Sequence, residues 1–330
     1  MITQPQSLLM LRFRVENANA ISSPLTWGFP SPTAFTGFVH ALSLRLQKDS
    51  KFKEIDGFKL DGVGICCNRF APQIATPEGK RTHIFSLQRH PIGQDGSPQA
   101  IVEAGRAHFV VTLVVGVYGS NLGIYVNEVS KNEALAKYIY EHVCSMKLAG
   151  GSIFAVASSF KRPTALLTYW PNNSSKQIEQ TVILRQKLLP TFTLLDRTDV
   201  LKNHLQVMQN TKADVSSLDA LLDLSRLNFE CTQDSEDSEN VDWQVKRKQG
   251  WLVPLPVGYV AISELHPAGS VKNARDKNKP FCFVENILSL GEWRSPHRIN
   301  NLSELLWYHH FDSDLCTYRC IQPFTPTPSL

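Results

Sequence analysis

The residues of this chain able to do chemistry are basic, hydroxyl and imidazole side chains, and they fall in separated groups. The first group is a loop, NANAISSPLTWGFPS at 17–31, which holds Asn19, Ser22, Ser23, Thr26 and Trp27. Ser31 followed by Pro32 reads as an N-cap and a first-turn proline, so the loop feeds a helix. The first backbone N–H groups of a helix have no partner within it, which makes such a junction a site for an anionic oxygen. The same residues also serve as a plain capped connection, and the sequence leaves both roles open. A second group, Arg12, Arg69, Lys80, Arg81, Arg89 and Arg106, falls at predicted strand ends or on an excursion between strands. In the third, Lys272, Arg275, Lys277 and Lys279 crowd one loop beside Asn273, with Asp276 its only acid. Arg and Lys on loops beside a sheet suit phosphate contact, and Arg can do so bidentately. Trp27, Phe29 and Phe70 are available to stack on bases or to pack in a core.

Catalytic chemistry has a weaker basis. His40, His83, His90 and His108 lie on the first helix or around the excursion, where a neutral imidazole could take a 2′-hydroxyl proton from RNA. No second acid or base pairs with any of them by spacing, and capping or surface roles are the alternative. His309-His310 with Cys316 and Cys320 has the residue types of a zinc site but not the spacing of a finger. GxSxG, GxxxxGK[ST] and HExxH are absent from the sequence. No metal, cofactor or catalytic residue is therefore assigned.

The elements that must position these groups follow from length and pattern. At 330 residues with 42% hydrophobic and 19% charged residues, the chain has material for more than one unit and a substantial core. A formal charge of +4 permits a nucleic-acid partner without requiring one. Seven scattered cysteines, no signal peptide at the start and no run of about 20 apolar residues point to a cytoplasmic protein with reduced thiols and no membrane partner.

Periodicity predicts a strand over 7–17, a helix over 33–47 and a strand over 60–69. Prolines and glycines then break the pattern over 71–105, which reads as an extended hairpin leaving the core. RAHFVVTLVVGVY at 106–118 is the clearest strand, apolar and β-branched enough to be buried on both faces. A helix over 131–146, ended by Gly150 as a left-handed cap, precedes strands at 153–158 and 166–170. The order is β-α-β-β-α-β, that of the ferredoxin-like (RRM-like) α+β fold. This gives a palm over 1–173 with an inserted β-hairpin thumb at 71–105. A leucine-rich helical subdomain is expected over 174–230 and a solvated acidic loop over 231–242. An irregular β-rich C-terminal region over 243–330 is expected to pack back on the palm. Within it, 250–262 reads as an edge or irregular strand because Pro254, Pro256 and Gly258 cut it, 301–310 as a helix, and the proline-rich tail as loose.

The opening loop and the helix after it, together with GRAH at 105–108, LAGGSI at 148–153, LDALLDLSRLNFE at 218–230, GWLVPLPVGY at 250–259, VKNARD at 271–276, FVEN at 283–286, GEWRSPHR at 291–298 and LWYHH at 306–310, resemble in order the second Csy proteins of type I-F CRISPR systems, a Cas-five-type family. The resemblance covers nearly the whole chain. It implies a non-catalytic subunit of an RNA-guided surveillance complex in antiviral defence. Such a subunit pairs with the large subunit and holds the 5′ handle of the CRISPR RNA at one end of a filament of backbone subunits. Target DNA is then reached through the assembled complex. It also implies a palm with a protruding thumb, which matches the excursion at 71–105. Under this reading Asn19, Ser22, Ser23, Thr26 and Trp27 meet the handle, Arg69, Arg81, Arg106 and His108 line its path, and Lys272, Asn273 and Arg275 grip its other side. An RNA-processing endonuclease on the same scaffold, with a histidine general base, is the alternative.

Overall fold

The structure, a computed structural model, describes residues 3–120, 122–123, 128–159, 161–233, 241–246 and 248–323. It is a mixed α+β arrangement built on one curled antiparallel sheet, with helices on both faces. The first strand, β1 (Ser7–Asn19), leads through the small hairpin β2 (Ile21–Ser23) and β3 (Thr26–Trp27) to helix α1 (Pro32–Gln47). Next come β4 (Lys59–Pro72), a protruding ribbon of β5 (Ile74–Ala75), β6 (Ile84–Arg89) and β7 (Ile101–Ala104), and then β8 (Arg106–Tyr118). Helix α2 (Val129–Cys144) is followed by β9 (Lys147–Leu148), β10 (Gly151–Ala155) and β11 (Ala165–Tyr169).

Four of these strands lie in the order β4-β8-β1-β10, each antiparallel to its neighbour. Period-two alternation divides β1 between two cores. Leu9, Leu11, Phe13 and Val15 face the core shared with α1 and α2, and Leu8 and Met10 face the other side. Val114 of β8 and Cys66 of β4 join that second core, so the central strands are buried on both faces, as the continuous apolar run of β8 predicts. Burial pushes the thiols of Cys66 and Cys67 up to about 12, which keeps both protonated and unreactive.

The chain departs from expectation in four places, three of them in its second half. Between α3 (Ser174–Leu188) and α4 (Thr198–Thr211) lies a strand, β12 (Phe192–Asp196), where only helices were predicted. It enters the sheet between β4 and β16 (Val284–Arg294), burying Thr193, Leu194 and Leu195. Leu194 and Leu195 continue the leucine spacing of the flanking helices, which hides the strand in the sequence. Helices α4 and α5 (Ser217–Ser225) then form a third small core against Leu290.

Secondly, the strand with two prolines, β15 (Trp251–Ala261), is not a sheet edge along its whole length. It pairs with β16 throughout and with β18 (Thr317–Ile321) at residues 258–260. Only the stretch holding Pro254 and Pro256 has an open side. Residues opposite one another alternate between bonded and non-bonded pairs, so the two ring nitrogens face that open side, where no N–H is required. The Pro256 carbonyl faces the same way, since it accepts a 2.7 Å hydrogen bond from Ser31.

Thirdly, 301–310 is not a helix. A 3-10 turn at Leu302–Leu305 is capped by Asn301, and the chain then extends into β17 (Tyr308–Asp312). Buried Trp307 bridges to Val63, and its indole N–H donates to the Leu194 carbonyl at 3.0 Å, so tertiary pairing overrides the leucine spacing. Finally, Gly150 is not a helix cap. α2 stops at Cys144, and Ala149 (φ 48°) with Gly150 (φ 76°) forms the two-residue turn joining β9 to β10. Part of the predicted acidic loop, 234–240, and the tail 324–330 lie outside the described residues. The ends of that loop pair as β13 (Phe229–Gln233) and β14 (Val241–Val245). No helix among the described residues is long and apolar enough to cross a membrane.

Candidate nucleic-acid interface

The loop at 17–31 and the protruding ribbon meet at one place, the root where β4 and β8 outrun the sheet. There Asn17 adopts a left-handed backbone (φ 56°) and bulges β1 between Val15 and Ala18. A bulge re-aims the side chains that follow it. It sets Asn19 directly across from Arg106 and leaves the Asn17 backbone facing His108. Arg106 reaches the Asn17 carbonyl at 3.4 Å. His108 is engaged at both ring nitrogens, at Nδ1 by the Asn17 N–H (3.3 Å) and at Nε2 by the Gln73 amide (2.8 Å).

The hairpin β2–β3 clasps the ribbon from the side. Trp27 packs on Phe85 of β6 with ring centroids 4.6 Å apart. Gly105, at the ribbon's return, leaves no room for a side chain: a Cβ there would lie 2.6 Å from Ile21 and 2.9 Å from the Trp27 indole nitrogen. The Ala20 N–H donates to the Gly105 carbonyl at 2.9 Å, which ties hairpin to root.

Hydroxyls in the loop divide sharply. Ser23 and Thr26 are buried and bonded to one another at 2.6 Å, so they shape the turn. Ser22 is half-buried, 3.3 Å from Thr26. Asn19 is exposed but spends its side chain on the Ile21 N–H and carbonyl. Ser31 caps α1 by accepting from the Thr33 N–H, as the sequence predicts. With Pro30, Ser31 and Pro32 all buried and Ser31 donating to β15, that helix start is covered by protein.

On the other side of the hairpin lies a cleft of about 530 Å³. Its walls carry Trp27, Phe29, Phe70, Phe192, Trp251 and Trp293. Phe29 meets Trp293 edge-on at 5.0 Å and Phe70 at 5.9 Å, and Phe192 meets Trp251 edge-on at 5.3 Å. Among the described residues Arg69 lines it as the only cationic side chain. Among the described residues Arg69 makes no side-chain hydrogen bond or ion pair. Behind the cleft, Glu292 and Arg294 are almost fully buried and paired bidentately, and Arg197 joins Glu292. Burial alone would raise the Glu292 carboxyl, but the two guanidinium partners outweigh it and hold it below the usual range.

The structure therefore brings Asn19, Ser22, Thr26, Trp27, Arg69, Arg106 and His108 to one region, with Ser23 beneath it. Arg81 lies on the ribbon between β5 and β6, exposed. Lys272, Asn273 and Arg275 lie at the exposed tip of the β15–β16 connection. That connection is held by a His266–Phe281 bridge, and Asn273 turns its tip with φ 63°. Lys272, Arg275, Lys277 and Lys279 make no side-chain hydrogen bond or ion pair among the described residues.

The histidines considered for catalysis are dispersed. His40 lies against His309, His83 bonds Thr76, and His108 is held as described. No cluster of three or more metal-ligating side chains occurs among the described residues. Sequence reasoning missed Phe192, Trp251 and Trp293 as cleft walls and Gln73 and Asn17 as partners of His108. Trp251 and Trp293 do lie in two of the motifs that carry the resemblance.

A family model described as CRISPR-associated protein (Cas_Csy2) matches residues 8–320. The chain is also 47% identical over 328 residues to the CRISPR-associated protein Csy2 of Pseudomonas aeruginosa (strain UCBPP-PA14), an alignment covering 98% of this chain and 97% of that protein.

Proposed function

The chain belongs to the Csy2 family of CRISPR-associated proteins, and from that premise we propose that it is a non-catalytic RNA-binding subunit of the type I-F surveillance complex. It holds the 5′ handle of the CRISPR RNA at the ribbon root and pairs with the large subunit. The observation that carries this reading is the convergence of Asn19, Arg106, Arg69 and an aromatic-lined cleft beside the ribbon. The strand order β4-β8-β1-β10, with α1 and α2 on one face, supports the reading of a ferredoxin-like palm with the ribbon β5–β7 as its thumb.

Arg106 and Arg69 contact handle phosphates, and Ser22 with the exposed backbone of the hairpin supports them. Asn19, Ser23 and Thr26 hold the hairpin in shape, and His108 holds the thumb root. Arg81 follows the RNA along the thumb toward the adjacent backbone-filament subunit. Lys272, Asn273 and Arg275 grip the handle from its other side. Target DNA is selected by pairing with the guide, with protein reading backbone and shape. The setting is the cytoplasm, where CRISPR RNA is present.

The test is binding of handle RNA by the chain purified with its large subunit. Handle RNA binds at least tenfold tighter than unrelated RNA of equal length, and Arg106→Ala removes most of that margin. Equal affinity for both RNAs overturns the reading. Labelled repeat RNA stays intact with the chain alone. Cleavage abolished by His40→Ala, His83→Ala, His90→Ala or His108→Ala installs the endonuclease instead.

A further inference from the structure

We infer that Arg12 and Arg162 form a separate phosphate site, on the face of the sheet turned away from α1 and α2, and that it takes a phosphodiester of a bound nucleic acid. Arg12 alternates with Leu11 and Phe13, which face the α1 and α2 core, so its side chain stands on the opposite face. It lies where β1 changes partner, since residues 7–11 pair with β11 and residues 13–16 with β10. The connection between those two strands crosses here, and the Arg12 N–H ties it down by donating to the Thr164 carbonyl at 2.8 Å. Ser159 and Arg162 exchange backbone hydrogen bonds at 3.1 Å, and the Ser159 hydroxyl also accepts from the Arg162 N–H. The turn that presents exposed Arg162 is therefore closed on itself.

The Nε of Arg12 is buried and has no hydrogen-bond partner among the described residues. Burial lowers its guanidinium from the ordinary value and nearby Arg162 lowers it further, with only the Tyr140 phenol opposing them. The only acid of β1, Glu16, is held by Arg14 at 3.1 Å. Opposite Arg12, the Thr112 hydroxyl is spent on Asn68. Arg162 makes no side-chain hydrogen bond or ion pair among the described residues. Two guanidiniums brought together without a carboxylate repel one another. An oxyanion between them reverses that sign and gives the buried Nε its acceptor.

The surroundings fit a nucleic acid better than an acidic side chain. Residues directly opposite across an antiparallel pair share a face. Arg14 and Arg69 both oppose Val110 of β8, so Arg69, Arg14 and Arg12 stand on the same face of three neighbouring strands. Arg14 also lies over the exposed ring of Phe154, 5.2 Å from its centroid. Strands about 5 Å apart set these cations in a row that a chain of phosphates can follow from the cleft to Arg162. A single carboxylate would neutralise only one of them. An RNA strand and double-stranded target DNA both present phosphodiesters, and the experiment separates the two sources.

The variant is Arg162→Gln, whose exposed side chain can be removed without opening the core. In the chain purified with its large subunit, inorganic phosphate raises the melting temperature more than chloride does at equal ionic strength. The variant loses that difference, and in chloride it melts no lower than the parent because a like-charge contact is gone. Two binding series then name the source: handle RNA with this pair of proteins, and double-stranded target DNA with the RNA-loaded complex. Arg162→Gln weakens binding about fivefold in at least one series and makes its slope of log affinity against log salt shallower by about one ion. A loss in the RNA series assigns the RNA strand, and a loss in the DNA series assigns the duplex. Arg12→Lys keeps the charge without the Nε donor, so it lowers affinity in the same series and preserves the slope. If both series are unchanged while phosphate still protects the parent, the site holds an adventitious ion only and the inference fails. If the variant melts lower in chloride, or releases the large subunit, the residue braces the fold or meets a protein carboxylate, and the inference fails. The handle reading is tested separately by Arg106→Ala, whose failure leaves this site standing.

Discussion

The ribbon root with its cleft and the tip of the β15–β16 connection are both candidates for the same ligand, yet they are built oppositely. At the root nearly every polar atom is committed: Asn19 to Ile21, Ser23 to Thr26, His108 to Asn17 and Gln73. The surfaces left over are ring faces, Arg69 and the part of the Arg106 guanidinium not turned to the Asn17 carbonyl. At the tip, four cations stand exposed with no partner among the described residues, and shape is supplied only by a few turns beyond the His266–Phe281 bridge. A preorganised surface binds by fit and stacking. An open cluster of cations binds by counterion release, which weakens as salt rises. The two regions should therefore respond differently to truncation and to ionic strength.

The largest effect belongs to the support behind the cleft. Glu292→Ala leaves Arg294 and Arg197 without their carboxylate and lowers folding stability by about 3 kcal/mol, measurable by urea unfolding. A loss below about 1 kcal/mol would mean that the cleft does not depend on this network. The pH dependence has a definite sign. The folded-state pKa of Glu292 is depressed, so its contribution is complete above the ordinary glutamate pKa and is lost as pH falls through the folded value. Glu292→Gln removes that part of the acid sensitivity, read from stability measured across pH.

Next in size, Trp251→Ala weakens handle binding by about 1–2 kcal/mol and leaves the slope of log affinity against log salt unchanged. Arg275→Ala weakens it by about 1 kcal/mol and makes that slope shallower by about one ion. Opposite salt responses, or identical ones, would collapse the distinction between the two regions. The smallest change is expected for Lys279→Ala, below about 0.5 kcal/mol, because a single exposed lysine at the loop end contributes only diffuse charge.

What the sequence makes legible follows from where the information lies. β8 is read to the residue, Arg106–Tyr118, because its apolar, β-branched run is local and unbroken. The protruding ribbon is visible because prolines and glycines interrupt that rhythm. β12 is invisible because Leu194 and Leu195 extend a helical spacing, and only pairing with β4 and β16 makes Phe192–Asp196 a strand. The cleft is invisible for a related reason. Its walls come from Trp27, Phe70, Phe192, Trp251 and Trp293, far apart in the chain and joined only by the sheet. Arg69 looks like any other basic residue until its missing partner and aromatic neighbours are seen. The division of the hydroxyl loop is likewise hidden in the sequence, since only the fold buries Ser23 and Thr26 against one another and leaves Ser22 half-buried.

Pro254 and Pro256 have a consequence for the protein's life outside its complex. A sheet this large with an exposed strand edge is an aggregation hazard, because an unpaired row of N–H and C=O groups templates another chain. Pro254 and Pro256 offer no N–H on this side, and the Pro256 carbonyl is already taken by Ser31. An incoming strand finds no ladder to complete there. The two prolines therefore act as a filter that refuses other polypeptides at this edge.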